Sequence, residues 1–244
     1  MKKIFIDAGH NFSGFNTGAV ANGLREQDIT FDVAKYLGEL LEAAGLDVKL
    51  SRPTLQTNLG WDNGSSVNTR WQMANAWGAD YFISIHANAG GGTGAETLYF
   101  SQKSLEFAQT VQDVYSEEMG LRNRRIWRRD DIGVVRWTNM PSILVETAFI
   151  DSPAQNPDVE ILRSKRLEMA KAIAKGVLRY LNIEIPAAEP PARFNTLDEL
   201  PTWARPTIEK LAGKKFLTGD GQGLDLSLDM VRIFVVHDRI GIYD

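Results

Sequence analysis

Hydrophobic and polar positions along the first part of the chain switch repeatedly between two periods. Residues 3–6 form a short apolar run of the kind that makes a buried first strand. Between residues 26 and 41, Ile29, Val33, Tyr36, Leu37, Leu40 and Leu41 recur at helical spacing, and Gly45 follows as a stop signal. The same pattern predicts a strand at 46–50, a helix at 67–77, a strand at 80–86, a strand at 96–100 and a helix at 105–119. An apolar strand at 142–147 follows, then a closing helix at 159–181 with Leu162, Met169, Ile173, Val177 and Leu181 on one face. Strands alternating with helices predict an α/β fold, a mostly parallel twisted sheet flanked by helices.

Periodicity then stops. Residues 183–193 carry three prolines and read as a stiff linker. Residues 194–244 predict a small all-α module: a helix opening at Trp203 and Ala204 and running to Leu211, a glycine-rich turn at 218–224, and a helix from Leu228 to about Ile240. The expected organisation is therefore a first domain at 1–182, a linker at 183–193 and a C-terminal module at 194–244.

Composition narrows the function. A hydrophobic share of 43% and a charged share of 24% are globular values and exclude a disordered chain. The net charge of −4 lacks the basic surplus of a duplex nucleic-acid binder, so nucleic acid is not expected as a partner. There is no cysteine, which excludes disulfides and Cys-ligated metals. Any zinc must be held by histidine and carboxylate. The apolar run after Met1 is too short for a signal peptide, and no run approaches the length of a membrane span. Synthesis in the cytoplasm without membrane insertion is the expectation.

Two of the three histidines end apolar runs, His10 after Ile-Phe-Ile-Asp-Ala-Gly and His86 after Tyr-Phe-Ile-Ser-Ile. Strand carboxyl ends are where ligands collect in open α/β sheets. Two imidazoles and a carboxylate converging there are the parts of a catalytic zinc site, which points to a metallohydrolase. Each residue also has a plainer reading. His10 could cap a loop carbonyl, His86 could be a satisfied buried histidine, and Glu26 could be a first-turn helix acid. Glu146 is different, because it interrupts the apolar run Ile-Leu-Val-Glu-Thr-Ala-Phe, where an unpaired carboxylate is expensive to bury. The arginines at 122, 124, 125, 128 and 129 read as a solvated loop balanced by Asp130 and Asp131, or as a set that meets peptide carboxylates. Trp127 and Trp137 read as buried aromatics or as sugar platforms, and His237 as structural.

Taken in order, Asp-Ala-Gly-His10, Leu-Arg-Glu26-Gln-Asp, Ser51-Arg52, Arg70 with Ala74-Asn75, Ser-Ile-His86-Ala-Asn88, Gly94-Ala-Glu-Thr97 and Leu-Val-Glu146-Thr-Ala-Phe resemble the zinc-dependent N-acetylmuramoyl-L-alanine amidases of the "amidase 3" type. The resemblance spans Lys2 to about Leu181. It implies His10, Glu26 and His86 as zinc ligands and Glu146 as the catalytic carboxylate; Asn88, Arg52 and Arg136 are the candidates for substrate binding. It also implies peptidoglycan as substrate, cleaved between N-acetylmuramic acid and L-alanine. A zinc peptidase or deacetylase, or an inactive wall-binding protein, are the rival readings. The loop Asn11 to Ala19 departs from the family by its length and aromatic content, which leaves the cleft shape near His10 open. No long helical insertion lies between His86 and Glu146, so an open cleft is expected. The C-terminal stretch resembles a single S-layer-homology-like hairpin of the kind found on phage endolysins. That implies attachment to a secondary wall polymer or pairing into a homodimer, with action on the wall after release through a holin-type pore.

Overall fold

The computed structural model describes residues 1–184, 193–219 and 223–243. The chain forms two compact units, Met1–Ile185 and Pro186–Asp244. Most of the predicted linker and the middle of the glycine-rich turn lie outside the described residues.

In the first unit β1 (Lys3–Ala8) leads to a hairpin of β2 (Val20–Ala21) and β3 (Leu24–Arg25), and then to α1 (Glu26–Ala43). There follow β4 (Asp47–Leu50), α2 (Asn63–Trp77), β5 (Tyr81–Asn88), β6 (Ala95–Tyr99), α3 (Leu105–Met119), β7 (Asn123–Arg128), the short α4 (Gly133–Arg136), β8 (Ser142–Phe149), α5 (Pro157–Ser164) and α6 (Arg166–Tyr180). The six long strands form one sheet in the order β4-β1-β5-β8-β6-β7. The first four are mutually parallel, while β6 runs antiparallel to β8 and parallel to β7.

Burial on both faces explains why the central strands are continuously apolar. Ile4, Ile6, Ile83, Ile85, Ile143 and Val145 pack toward Leu37, Val111 and Ile173 of α1, α3 and α6. Phe5, Phe82, Leu98 and Leu144 pack on the opposite face with Ala74 of α2 and Val134 of α4. The sheet is thus a layer between helices.

Four local features depart from the pattern-based expectation. The helix α2 starts four residues earlier, at Asn63, because Asp62 and Ser65 form a reciprocal capping box. The hairpin β2–β3 turns on Asn22 and Gly23, both at positive φ, the Asn-Gly signal of a tight turn. The stretch expected as one closing helix is two, α5 and α6, because Lys165 leaves helical geometry (φ −116, ψ 34). Residues 123–128, expected as a solvated loop, form the edge strand β7.

The second unit contains α7 (Arg205–Gly213) and α8 (Leu228–Arg239), with two-residue strands β9 (Arg193–Phe194) and β10 (Leu226–Ser227) paired antiparallel. Its own small core gathers Leu200, Ala204, Ile208, Leu211, Val231 and Val235. No helix among the described residues is long and apolar enough to cross a membrane.

Candidate metal centre

His10 leaves the end of β1 through Gly9, whose N–H still donates to Ile85 O of β5 at 3.1 Å. A Cβ at Gly9 would stand 2.6 Å from the His86 ring, so glycine is what lets the two strand ends approach. His10 itself is held at φ 66, an uncommon conformation for a non-glycine residue. Arg70 of α2 explains how it is held. This buried guanidinium donates to the carbonyls of Ala8 and His10, each at 2.6 Å, and to Asn11 Oδ1 at 3.1 Å. Its charge is met by buried Asp7, at 2.6 Å. Burial alone would raise the Asp7 pKa, but Arg70 and Ser84 outweigh it and keep Asp7 below the ordinary carboxylate value.

Three donors converge at this end of the sheet. His10 Nε2 lies 3.0 Å from Glu26 Oε1, and His86 Nδ1 lies 3.1 Å from the same oxygen. One ligand atom from each of the three residues falls within 4.8 Å of the others. The outer contacts orient them. His10 Nδ1 meets Asn16 Oδ1 at 3.2 Å, so with a metal on Nε2 the ring would keep its proton on Nδ1. Glu26 accepts from the N–H groups of Ala19 and Ala87 at 2.9 and 3.0 Å. Burial pushes Glu26 up, yet its hydrogen bonds with His10 and His86 hold it well below the usual range. Burial lowers His86, keeping it in the neutral form that a metal requires. Two neutral imidazoles and one ionised carboxylate are a donor set that suits zinc.

Glu146 stands beside this cluster by strand register, paired with His86 across β5 and β8. It shares with His10 and His86 a cleft of about 310 Å³ whose walls include Val67, Ile132 and Leu144. Its Oε2 is buried without a hydrogen-bond partner among the described residues. Burial above all, and then the charges of Glu26 and Glu96, raise its pKa well above that of a free carboxyl.

The residues assigned to substrate binding are placed differently. Arg52 is fully buried, and its guanidinium donates to the carbonyls of Gly9, Gln27 and Leu55 at 3.3, 3.1 and 2.7 Å. It braces the loop behind His10 and offers substrate no surface. Burial holds its pKa down to about 10. Arg136 is exposed at the end of α4, bonded to Asp130 O at 2.7 Å and stacked on Trp137, outside the lining of the cleft. Asn88 lies two residues past His86, but its amide is engaged with Glu96 Oε1 at 2.8 Å and with Ala89 N at 2.9 Å. Trp127 and Trp137 are 52% and 54% exposed, so neither is the buried aromatic expected of it. Asp7 and Arg70 stand among the motif residues that carry the resemblance, but the bracing network they form with Asn16 was not foreseen. Its one local signal was Asp7 inside an apolar strand, the same signal that marked Glu146.

Comparison with known proteins agrees with this geometry. The family model described as N-acetylmuramoyl-L-alanine amidase (Amidase_3) matches residues 4–179. The N-acetylmuramoyl-L-alanine amidase CwlM of Bacillus licheniformis is 38% identical over 196 residues, covering 77% of this chain and 72% of that protein. The endolysin of Bacillus phage SPP1 is 32% identical, covering 75% and 67%. The crystal structure of an N-acetylmuramoyl-L-alanine amidase from Clostridium difficile 630 superposes with a TM-score of 0.64 at 31% identity, over 74% of this chain and 97% of that one. From residue 4 to residue 179, the chain belongs to the N-acetylmuramoyl-L-alanine amidase family.

Proposed function

We propose that this amidase hydrolyses peptidoglycan at the amide between N-acetylmuramic acid and L-alanine, with His10, Glu26 and His86 holding a zinc ion. Bound there, zinc would supply Lewis acidity, lowering the pKa of an attacking water and polarising the amide carbonyl. The chain's own residues supply the rest. Glu146 faces the cleft with a basic carboxylate whose Oε2 lacks a partner among the described residues, so it suits taking a proton from that water. The same carboxyl then hands the proton to the departing amine. Arg70 and Asp7 do no chemistry; they keep the His10 backbone in its strained conformation. The observation that carries the reading is the register of β5 and β8, which sets Glu146 next to a ligand histidine.

The phage relative, matched over 75% of this chain, supports an endolysin-like role for the first unit, and the hairpin-like sequence of the second unit suits attachment to the wall. Trp203 and Phe216 of the second unit are 46% and 66% exposed and provide contact surface for a wall polymer. An apolar stripe on α8, with Ile233 and Val236 52% and 55% exposed, suits a homodimer instead. Sedimentation of the full chain, with and without wall fragments, separates the two.

The test of the reaction is to incubate the protein with peptidoglycan, with and without a chelator, and to identify the released ends by mass spectrometry. Free stem peptides beginning at L-alanine, lost on chelation and restored by zinc, are expected. A different bond cleaved would move the substrate towards that of a zinc peptidase or deacetylase, and bound but uncleaved wall would reduce the protein to a binding module.

A further inference from the structure

Five arginines crowd residues 122–129, and the structure separates one of them from the rest. Arg122, Arg125, Arg128 and Arg129 are exposed. Arg129 closes on Asp131 at 2.6 Å, Arg128 bonds to Phe100 O at 3.1 Å, and Arg125 lines a shallow depression with Gln109 and Asp113. Arg124 is partly buried and turned towards Glu96 of β6. Its Nε donates to Glu96 Oε2 at 2.9 Å, and its guanidinium lies 4.8 Å over the Phe149 ring. Glu96 is in turn fixed by Asn88 at 2.8 Å, and it pairs in register with Glu146 across β6 and β8. His86, Glu146 and Glu96 therefore form one row across β5, β8 and β6, and Arg124 of β7 joins it through its side-chain contact with Glu96, where the β6–β7 register shifts.

An arginine stacked on a ring and tied at Nε alone keeps both Nη groups in a fixed fork. No partner for those two groups is found among the described residues. That fork suits a carboxylate, which it can meet with two parallel hydrogen bonds. Arg124 lies two strand spacings from Glu146, roughly 10 Å at about 4.8 Å per spacing. The peptide that leaves on cleavage extends away from the scissile nitrogen at about 3.3 Å per residue. Where the second residue ends the peptide or is joined onward through its side-chain carboxyl, its α-carboxyl stays free and reaches roughly 7 Å from the cleaved bond, and a side chain of arginine length spans the remainder.

We propose that Arg124 is a specificity-determining residue that receives the α-carboxylate of the second residue of the stem peptide, with Glu96 and Phe149 as the side chains that aim it. The assignment rests on the amidase reading given above. It converts a generic basic edge strand into a single recognition point, and it makes amidation of that carboxyl a chemical means of escaping cleavage.

The experiment compares two synthetic muramoyl peptides that differ only in carrying the second residue's α-carboxylate or its carboxamide. With the zinc-loaded full chain, kcat/KM should favour the carboxylate by about ten-fold, the usual worth of a charge-assisted hydrogen bond, and mostly through KM. In Arg124→Gln that ratio should fall to about one, and Arg124→Lys should keep only part of it because the fork is lost. A wild-type ratio near one would overturn the proposal without any variant having to fold. An unchanged ratio in Arg124→Gln would overturn it as well. Failure of the wild-type protein to cleave either peptide at the muramoyl amide would instead strike the amidase reading itself.

Discussion

At the scale of single residues, the site depends on a few side chains that have no freedom to be anything else. On the proposed mechanism Glu146 moves the proton, and its Oε2 has no hydrogen-bond partner among the described residues, so Glu146→Ala should cut turnover by about 10²–10⁴-fold while leaving zinc content unchanged, as judged by metal analysis beside a wall-cleavage assay. Retained turnover in that variant would remove Glu146 from the mechanism. Gly9→Ala should do the opposite. The added methyl collides with the His86 ring at 2.6 Å, so zinc affinity should drop before folding does, measured by competition with a chromophoric chelator. Both residues were visible in the sequence, Glu146 as a carboxylate in an apolar run and Gly9 as the residue before a strand-end histidine. The network that props up His10 was not, because Arg70 reaches it from α2, sixty residues along the chain.

At the scale of elements, buried polar side chains join segments that the sheet alone leaves loose. Asp158, buried in the first turn of α5, accepts from Gly94 N at 2.8 Å and Phe149 N at 2.9 Å. It thereby ties the start of β6 and the end of β8 to one helix. Asp158→Ala would strand two buried N–H groups, and at about 1–3 kcal/mol for each the variant should lose several kcal/mol in denaturant titration. A loss below about 0.5 kcal/mol, ordinary for a surface change, would show that water satisfies those groups. The periodicity gave α1 and α3 within two residues of their observed ends, since each carries its apolar stripe in its own sequence. It did not give the break at Lys165, where no glycine or proline signals a stop. Nor did it give β7, whose arginine-rich sequence has the polarity of a loop and becomes a strand only by pairing with β6.

At the scale of the whole molecule, acid and metal act on stability through the same end of the sheet. Asp7 is held below its ordinary pKa in the folded chain, so its stabilising effect is complete above about pH 4 and is lost as pH falls through the folded value. The melting temperature of the wild type should drop more steeply below about pH 4 than that of Asp7→Asn, which starts lower because it leaves Arg70 buried without its charge partner. Parallel slopes would mean that Asp7 is not among the groups that acid unfolds. If the proposed assignment holds, zinc would bind only the folded arrangement of His10, Glu26 and His86, so saturating zinc should raise the melting temperature, and His10→Ala should abolish the shift. An equal zinc shift in that variant would locate the metal elsewhere.

What the sequence determined by itself was local and periodic: the alternation of strands and helices, the mostly parallel sheet that follows from it, and His10, Glu26, His86 and Glu146 as the residues a family resemblance singles out, which the fold brings to one end of the sheet. Those features repeat within a few residues or sit at strand ends, where side-chain period and chain direction suffice. The tertiary structure decided what depends on partners far along the chain. It set the reversal of β6 against β8, the burial of Arg52 as a brace and not a binder, and the exposure of Trp127 and Trp137. It also decided the register that lines His86, Glu146 and Glu96 in one row. Register belongs to pairs of strands, and no single strand's sequence contains it.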